Sequence, residues 1–293
     1  MPEGHSIHRI ARHFDEVFVN QILRLSSPQG RFTDGASLLD GHRAVASEAH
    51  GKHWFLYFDN ELVLNVHLGM YGAWTFGGTQ HSSIGAPRKI GEREDHHDAA
   101  LELTEPRPTT RVRIIGDHAW ADLVGASVCR TLTIPEAQEV IDAIGPDPLR
   151  ADADPQRFYD VAAKTRRRIG AILMDQKVIG GIGNIYRAEG LFRLDVNPHA
   201  PANSLPAKTH EAIWHDQVQL LNIGVETGNI ITTEPAHRPG IPLAEAFPNH
   251  ANYVYQRHGQ TCLVCGQDAI IMELLEARKL YWCTACQGGS TLG

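Results

Sequence analysis

Hydrophobic positions along the chain change their spacing from helical to alternating and back. Residues 1–13 predict a helix, because apolar residues recur from there at spacings of three and four residues. These positions are Ile7, Ile10, Ala11 and Phe14. From residue 17 to about residue 132, short apolar and alternating runs predict several strands in series, which is typical of a β-sandwich or barrel.

The strand signal is clearest in four stretches, at residues 54–58, 62–68, 112–115 and 120–124. Residues 77–98 are polar and rich in glycine, which predicts a long exposed loop. Residues 144–149 read Ile-Gly-Pro-Asp-Pro-Leu, and prolines with a glycine break both kinds of regular pattern. We therefore expect the β domain to end before this stretch.

Beyond residue 155 the apolar spacing is helical, and helices are predicted at 185–192 and about 206–224. Three glycines between residues 180 and 183 favour a turn ahead of the first of these. Asn184 then stands as the cap of that helix, with Glu189 on its surface. The predicted domains are a β domain at 1–132, a linker at 133–155, a helical domain at 156–254 and a cysteine-bearing module at 255–293.

Four cysteines near the C-terminus form two CxxC pairs separated by seventeen residues. They are Cys262, Cys265, Cys283 and Cys286. This spacing matches a tetrahedral four-cysteine zinc site, and strands at 270–274 and 279–282 with a turn at 276–278 would bring the pairs together. Two disulfides in a secreted module are the alternative. Cys129 stands alone in an apolar context and is expected in the core.

The amino-acid composition is typical of a globular protein, with 42% hydrophobic and 21% charged residues over 293 positions. Because no run of eighteen apolar residues and no signal-peptide pattern occurs, we expect a cytoplasmic protein without a membrane span. The net charge of −7 argues against a nucleic-acid partner unless basic groups gather locally. The basic cluster at 164–168, taken alone, favours a solvated helix face.

The glycine turn before Asn184 has two explanations. Backbone N–H groups at a helix start, approached closely because glycine has no side chain, form an anion site that suits a DNA phosphate. A tight helical hairpin, with glycines needed only for packing, explains the same residues. The turn alone does not separate these two explanations.

Five motifs, in this order along the chain, resemble the formamidopyrimidine-DNA glycosylase / endonuclease VIII family of repair enzymes. They are the terminal Pro2-Glu3-Gly4, Gly51-Lys52-His53, His67-Leu-Gly-Met70, the stretch LMDQKVIGGIGNIYRAEGL at 173–191, and Arg278-Lys-Leu-Tyr-Trp-Cys283-Thr-Ala-Cys286-Gln287. The resemblance runs from residue 2 to residue 287. It implies an α+β multidomain fold: an N-terminal β-sandwich with a leading helix, a helix–two-turn–helix domain, and a C-terminal zinc-finger β-hairpin.

The resemblance implies a bifunctional DNA glycosylase/AP lyase of base excision repair. Removal of Met1 would leave Pro2 with a free secondary amine, and α-amino groups titrate near pH ~7.7–8.0, so a fraction is neutral and nucleophilic at neutral pH. Glu3 would act as the neighbouring acid and base. Lys52 would hold a phosphate and stabilise charge, and the strand would break by β- and δ-elimination.

The same resemblance assigns residues that bind DNA. Asn184 and Arg278 would hold the phosphates that flank the lesion, and Met70, with Tyr71 beside it, would fill the gap left by the displaced base. One structural zinc ion per chain would be bound by the four cysteines. The expected partner is damaged double-stranded DNA, with single-stranded or bubble DNA as further candidates, bound by a monomeric protein located at the nucleoid.

Two departures from the family pattern affect the predicted activity. Family members commonly carry Pro-Glu at positions five and six, where this chain has His5-Ser6, so a second active-site carboxylate is absent or replaced. The segment by which the purine-directed branch supplies further gap-filling residues has no match. Gly4 and the run Tyr71-Gly-Ala-Trp74 are closer to the endonuclease VIII branch, which favours oxidised pyrimidines over 8-oxoguanine.

Two other functions remain open from the sequence. A damaged-DNA-binding zinc protein without catalysis would bind abasic DNA without forming a covalent adduct. A zinc-ribbon adaptor that binds protein would show no salt-dependent affinity for DNA, and it leaves Pro2-Glu3 unexplained.

Overall fold

Two compact units, residues 1–143 and 144–293, make up the chain in the computed structural model, which describes residues 2–91, 94 and 103–288. The first unit begins with a helix and continues mainly in strands. Its elements are α1 (Gly4–Phe18), β1 (Arg24–Ser26), α2 (Thr33–Leu39), β2 (Ala44–His50), β3 (His53–Phe58), β4 (Leu62–His67), β5 (Ala73–Gly78), β6 (Lys89–Ile90), β7 (Thr110–Ile115), β8 (Ala119–Val124), β9 (Val128–Thr133) and α3 (Ile134–Asp142).

Among the residues described, the strands of this unit form two antiparallel sheets, as the predicted β-sandwich requires. One has the order β1-β7-β8-β5-β6 and the other β2-β3-β4-β9. In the second sheet β3 pairs with β4 so that His53 lies opposite His67, and Asn65 on β4 lies opposite Arg130 on β9. This register places four polar residues at adjoining positions of one sheet.

The core of the first unit is built around α1 and aromatic side chains from both sheets. The Phe14 ring of α1 lies 4.3 Å from that of Trp54 on β3 and 4.9 Å from that of Trp74 on β5. All three side chains are buried. Each such aromatic pair adds about 0.5–1.5 kcal/mol beyond the area it buries, so the helix that carries the N-terminus is firmly held.

Several local predictions for the first unit were wrong. Helices α2 and α3 were missed, and α3 occupies part of the predicted linker at 133–155. Its start carries a sequence signal: the Thr133 side chain accepts from the Glu136 N–H while the Glu136 carboxylate accepts from the Thr133 N–H, a capping box. Helix α1 also extends to Phe18, beyond the predicted range.

The predicted exposed loop at 77–98 is only partly a loop. Residues 77 and 78 belong to β5, and β6 pairs with β5. The Glu94 carboxylate accepts from Nε of the buried Arg9 at 2.6 Å. Residues 92, 93 and 95–98 of this stretch lie outside the described residues. The prediction failed because short strands with glycine and polar residues carry no clear alternation.

The second unit is mostly helical up to a C-terminal hairpin. Its elements are α4 (Gln156–Lys164), α5 (Ile169–Ile172), α6 (Asn184–Arg193), α7 (Ala207–Thr227), β10 (Ile270–Leu275), β11 (Arg278–Cys283) and α8 (Thr284–Gln287), with 3-10 turns at Ala202–Ser204, Pro235–His237 and Leu243–Glu245. None of the helices described is long and apolar enough to cross a membrane.

Glu189 on α6 is buried, although the sequence placed it on the helix surface. Its carboxylate accepts the backbone N–H groups of three consecutive residues, Tyr253, Val254 and Tyr255, at 2.7–2.8 Å. It also accepts from the Thr232 hydroxyl. Burial raises the pKa of Glu189, while these donors oppose that rise. A helical period cannot distinguish such a residue from a solvated one.

The C-terminal hairpin pairs β10 with β11 in register from Ile270–Cys283 to Leu275–Arg278. The two residues of its turn, Glu276 and Ala277, both have positive φ, at 47° and 61°. The turn is therefore one residue shorter than predicted, and Arg278 is the first residue of β11. The predicted fold class is otherwise confirmed.

Candidate active site

Pro2 and Glu3 lie at the N-terminal end of α1, where Glu3 is the residue that caps the helix. Both are buried, and the Glu3 side chain is fully enclosed. The Glu3 carbonyl accepts from the Ser6 N–H at 3.0 Å, which begins the helical bonding pattern. The N-terminal end of a helix carries partial positive charge, so this location disfavours a second positive charge beside it.

His5 and Ser6, at the positions where the sequence lacks a second carboxylate, form a buried pair. Ser6 Oγ lies 3.1 Å from His5 Nε2. Burial, and then the charge of Arg9, lower the pKa of His5 to about 3. A neutral imidazole and a hydroxyl therefore occupy these positions at neutral pH.

Lys52 lies in the two-residue turn between β2 and β3. Gly51 precedes it with φ of 57°, as the first position of a type II′ turn requires. The Lys52 side chain is half-buried. Its charge reaches His67 on β4, where burial and Lys52 together lower the pKa of that imidazole. Lys52 is therefore close enough to β4 for its charge to act on His67.

Met70 and Tyr71 form the tip of the connection between β4 and β5, with side chains 44% and 74% exposed. Glycines flank them: Gly69 has φ of 68°, and a Cβ on Gly72 would stand 2.3 Å from the Leu68 carbonyl oxygen. Their exposure shows that neither side chain packs in the core. A tight tip bounded by glycines therefore exposes both side chains to solvent.

Asn184 is the first residue of α6, and Gly183 rather than Asn184 is the cap. Its side chain is 7% exposed, and its Oδ1 accepts from Nη2 of Arg187 one turn further along the helix. Gly181, with φ of 84°, turns the chain into this helix start. The predicted glycine turn is confirmed, and its asparagine is fixed in orientation.

Arg187, which the sequence reasoning missed, links Asn184 to the hairpin. Its guanidinium, buried within the second unit, donates to the Lys279 carbonyl at 2.9 Å and to the Gly170 carbonyl at 3.3 Å. Lys279 follows the exposed Arg278 on β11. The available signal was an arginine among the apolar residues of the predicted helix at 185–192.

The four cysteines converge as predicted. Their Sγ atoms all lie within 4.8 Å of one another. Cys262 and Cys286 are 3.8 Å apart at sulfur, as are Cys265 and Cys283. A tetrahedron with Zn–S bonds of about 2.3 Å has S···S edges of about 3.8 Å, so the cluster fits a tetrahedral metal. A disulfide needs about 2.05 Å, which rules out that alternative for these pairs.

Cys129 does not belong to this cluster. It lies on β9 and packs partly buried against the core of the first unit. Burial raises the pKa of its thiol to about 12, so it stays protonated and unreactive at neutral pH.

The comparisons with known proteins agree with this arrangement. Residues 1–117 match the formamidopyrimidine-DNA glycosylase N-terminal domain, and residues 144–235 match the formamidopyrimidine-DNA glycosylase H2TH domain. "Endonuclease 8 1" of Mycobacterium tuberculosis is 39% identical over 288 residues, covering 98% of this chain and 100% of that protein. "Formamidopyrimidine-DNA glycosylase" of Pseudoalteromonas atlantica is 29% identical, covering 97% and 95%.

Solved structures share the fold. Lactococcus lactis Fpg in complex with DNA containing an abasic site has a TM-score of 0.76 at 16% identity, over 98% of this chain and 100% of that one. A variant of the same protein with Fapy-dG-containing DNA gives 0.75 at 19%, with the same coverage. Matching over nearly its whole length, the chain belongs to the formamidopyrimidine-DNA glycosylase / endonuclease VIII family, DNA glycosylases of base excision repair.

Proposed function

We propose that this protein is a bifunctional DNA glycosylase and AP lyase that removes oxidised bases, preferentially pyrimidines, from damaged double-stranded DNA. The observation that carries the proposal is a Pro2-Glu3 terminus with a fully enclosed carboxylate at the start of a rigidly packed helix. Support also comes from the relative named "Endonuclease 8 1" and from fold neighbours solved with abasic and Fapy-dG DNA.

The chemistry begins at the Pro2 amine once Met1 is removed; Met1 lies outside the described residues. The nitrogen lone pair attacks C1′ of the damaged nucleoside, and the base leaves with the electrons of the glycosidic bond and takes up the proton that the amine nitrogen loses. Opening of the sugar ring then expels the ring oxygen, which takes a proton from Glu3, and leaves a cationic iminium. The iminium acidifies the C2′ proton, so β-elimination cleaves the strand, and δ-elimination removes the sugar.

The start of α1 helps this step. The partial positive charge at the N-terminal end of a helix disfavours a protonated ammonium beside it, which keeps more of the amine in its nucleophilic form. The His5 imidazole, whose pKa is lowered to about 3, adds no positive charge there at neutral pH.

DNA would be held by groups from both units. Lys52 of the first unit would contact one DNA phosphate. Asn184 and Arg278 of the second unit would contact the phosphates that flank the lesion. Displacing the target base costs a few kcal/mol, less for a damaged base, and the exposed Met70 and Tyr71 would fill the resulting gap. In this proposal residues 1–132 carry catalysis, residues 156–254 bind DNA and residues 255–293 form the zinc finger.

The metal in this proposal is one structural Zn²⁺ per chain, held by Cys262, Cys265, Cys283 and Cys286. Four thiolates saturate a tetrahedral ion, so when bound it supplies cross-linking of the hairpin rather than chemistry on the substrate. The protein is proposed to act as a monomer at the nucleoid, where its substrate lies.

Preference for oxidised pyrimidines rests on sequence features near the proposed pocket. The motif that supplies further gap-filling residues in the purine-directed branch has no match, and Gly4 and Tyr71 follow the endonuclease VIII pattern. A single-turnover comparison of duplexes that carry thymine glycol or 8-oxoguanine tests this preference. Faster release of 8-oxoguanine would overturn it.

The central test is borohydride trapping on duplex DNA with an abasic site. Protein whose N-terminus is verified by mass spectrometry should give a covalent adduct that is lost in Pro2→Gly and in a variant with one added N-terminal residue. A protein that lacks Met1, binds the duplex and gives no adduct would instead be a reader of damage without catalysis. The missing second carboxylate at His5-Ser6 is the observation that favours that second function.

A further inference from the structure

A network of polar side chains runs across β3, β4 and β9 next to the Lys52 turn. Its members are His53, Asn65, His67 and Arg130. The imidazoles of His53 and His67 lie side by side on paired strands, with ring centroids 4.8 Å apart. Both residues are partly exposed to solvent. Their hydrogen-bond partners determine which ring nitrogen carries the proton.

Arg130 sets the protonation site of His53 through Asn65. Arg130 Nε can only donate, and it lies 3.2 Å from Asn65 Oδ1, so the amide oxygen of the buried Asn65 faces Arg130. The amide nitrogen must therefore face the other way, toward the Trp54 carbonyl at 3.2 Å and His53 Nδ1 at 3.4 Å. Nδ1 of His53 accepts this bond, which leaves the hydrogen of the neutral ring on Nε2.

Gly69 sets the protonation site of His67. The positive φ of Gly69, 68°, folds the chain back so that its N–H donates to His67 Nδ1 at 3.1 Å. The Ser127 hydroxyl, which donates to the His67 carbonyl oxygen, lies 2.9 Å from the same nitrogen, so the tautomer is assigned from the Gly69 N–H, which can only donate. A Cβ on residue 69 would stand 2.9 Å from the Ser127 side chain, so this geometry needs glycine. The hydrogen of His67 is therefore also on Nε2.

Both rings are neutral at physiological pH. Burial, and then the neighbouring His67, lower the pKa of His53 to about 4. Burial, and then Lys52, lower the pKa of His67. The titratable or charged groups that face the pair from adjoining elements are His50 with Glu48 on β2, Lys52 in the turn and Arg130 on β9.

We propose that His53 is a phosphate-binding residue of this protein, whose Nε2–H donates, beside the Nε2–H of His67 and the ammonium of Lys52, to the oxygens of one DNA backbone phosphate. A phosphodiester offers only acceptors, and this edge of the sheet offers two oriented N–H donors and one cation. The inference rests on the proposed function, since it names a residue that binds the same DNA.

Neutral donors leave a different experimental signature from cations. A bound cation releases a condensed counterion, so it contributes about 0.9 to the slope of log K against log salt concentration. A neutral imidazole N–H adds affinity without changing that slope. The pair and Lys52 can therefore be separated by salt titration, even if they contact the same phosphate.

The test is equilibrium binding of the full-length, zinc-loaded protein to a duplex with a tetrahydrofuran abasic analogue, which binds but cannot react, over a series of KCl concentrations at pH 7.5. His53→Phe keeps an aromatic ring at this position and removes the N–H. We expect affinity to fall about tenfold at every salt concentration with an unchanged slope, the effect of one lost hydrogen bond to a charged group. Lys52→Met should make the salt dependence shallower, reducing the magnitude of the slope by about 0.9.

Two further variants complete the design. His53→Gln, which can still donate, should recover most of the lost affinity, and this recovery separates binding from a structural defect. His42→Phe, at an exposed histidine near Asp59, is the matched control and should bind as the wild type does.

Three outcomes overturn the inference. The first is wild-type affinity in His53→Phe, and the second is no recovery of affinity in His53→Gln. The third is a salt slope whose magnitude falls by about one unit in His53→Phe, because that would mean that the imidazole is charged. If the wild type still forms the Pro2 adduct in any of these cases, only the role of His53 fails. A wild-type protein that neither binds the duplex nor forms an adduct removes the proposed function as well.

Discussion

Buried neutral histidines are a feature of the first unit. His13 on α1 packs its ring 4.4 Å from that of Phe76 and lies 2.8 Å at Nδ1 from the Ser82 hydroxyl. Burial lowers the pKa of His13 to about 4, as it lowers those of His5 and His53. In the unfolded chain these groups titrate near ~6.5. Proton uptake by the unfolded chain alone therefore opposes folding in mildly acidic solution.

The first prediction is a loss of stability between pH 6.5 and pH 4. In that window the unfolded chain binds more protons than the folded one, so the free energy of unfolding falls as pH falls, by up to about 1.4 kcal/mol per pH unit for each such histidine. Calorimetric Tm values at pH 7, 6 and 5 measure it. His13→Phe should reduce the drop, whereas His42→Phe, at an exposed position, should leave it unchanged. An equal drop in all three proteins would refute the assignment.

Single residues of the candidate site differ in how far the sequence could place them. Pro2, Glu3 and Lys52 were named from short motifs, and their roles stay predictions. Glu189 and Arg187 could not be placed, because a buried carboxylate or guanidinium is stabilised by partners far away in sequence, such as Tyr253 and Lys279. A periodic pattern records polarity at a position but not its distant hydrogen-bond partners.

At the scale of elements, Arg187 joins α6 to the hairpin. Replacing it with Met should cost about 3 kcal/mol, because Asn184 Oδ1, the buried Gly170 carbonyl and the Lys279 carbonyl lose their donor. DNA affinity should fall as well, since Asn184 and the strand carrying Arg278 lose their common support. Denaturant unfolding and binding to the tetrahydrofuran duplex measure the two effects.

Arg193 provides the matched control on the same helix. Its guanidinium pairs with Asp216 at 2.8 Å and donates to the Thr232 carbonyl, away from Asn184. Arg193→Met should also destabilise the protein, but at a temperature where both variants are folded it should bind DNA like the wild type. Equal affinity of the two variants would show that Arg187 has only a stabilising role.

The hairpin turn is a second element with a testable weakness. Ala277 adopts φ of 61°, which costs a non-glycine residue about 1–2 kcal/mol. Ala277→Gly should therefore stabilise the hairpin by about 1 kcal/mol, seen as slower amide exchange in β10 and β11. The same substitution at the exposed Ala207, in the first turn of α7, should have no such effect on these strands. Faster exchange in Ala277→Gly would contradict the turn assignment.

Helices and strands were predicted best where the hydrophobic pattern was long or where a metal-binding motif, such as the paired cysteines, marked their ends. Strands β3 and β4, helix α7 and the cysteine hairpin were all anticipated to within a few residues. Helices α2 and α3 were not, because seven- and nine-residue helices joined to strands offer only about two turns of periodicity. Strand β6, with two residues, carries no pattern at all.

For the whole molecule, an acidic chain of net charge −7 must bind a polyanion through a few placed groups. Removal of the proposed Zn²⁺ is expected to release the hairpin and, with it, the proposed phosphate contact of Arg278. The Kd for the duplex should then rise at least about tenfold, and the magnitude of the salt slope should fall by about 0.9. The rate of adduct formation at saturating protein should change little, because Pro2 and Glu3 lie in the first unit.

Chelation followed by metal analysis, salt titration and single-turnover trapping measures these effects, and added Zn²⁺ should restore binding. Cys265→Ser should reproduce the apo behaviour. Cys129→Ser is the matched control, since Cys129 lies outside the cluster and should leave the metal content at one per chain. Unchanged affinity after complete metal loss would show that the hairpin does not hold DNA.

The carboxylate of Glu189 has a consequence for how this protein can be altered. It bonds Thr232 and Tyr253, so both ends of the segment 233–252 are fastened to one side chain of α6. The Thr232 N–H also donates to the Ala251 carbonyl at 2.8 Å, which closes the base of the segment. Because the entropy of closing a loop grows only slowly with its length, residues added between these anchors cost little loop-closure free energy. The buried Ala246 packs with Ile231 and Ala251, so this part of the segment has to be kept. The exposed parts of this segment can therefore be lengthened or shortened while Glu189 continues to fasten both of its ends.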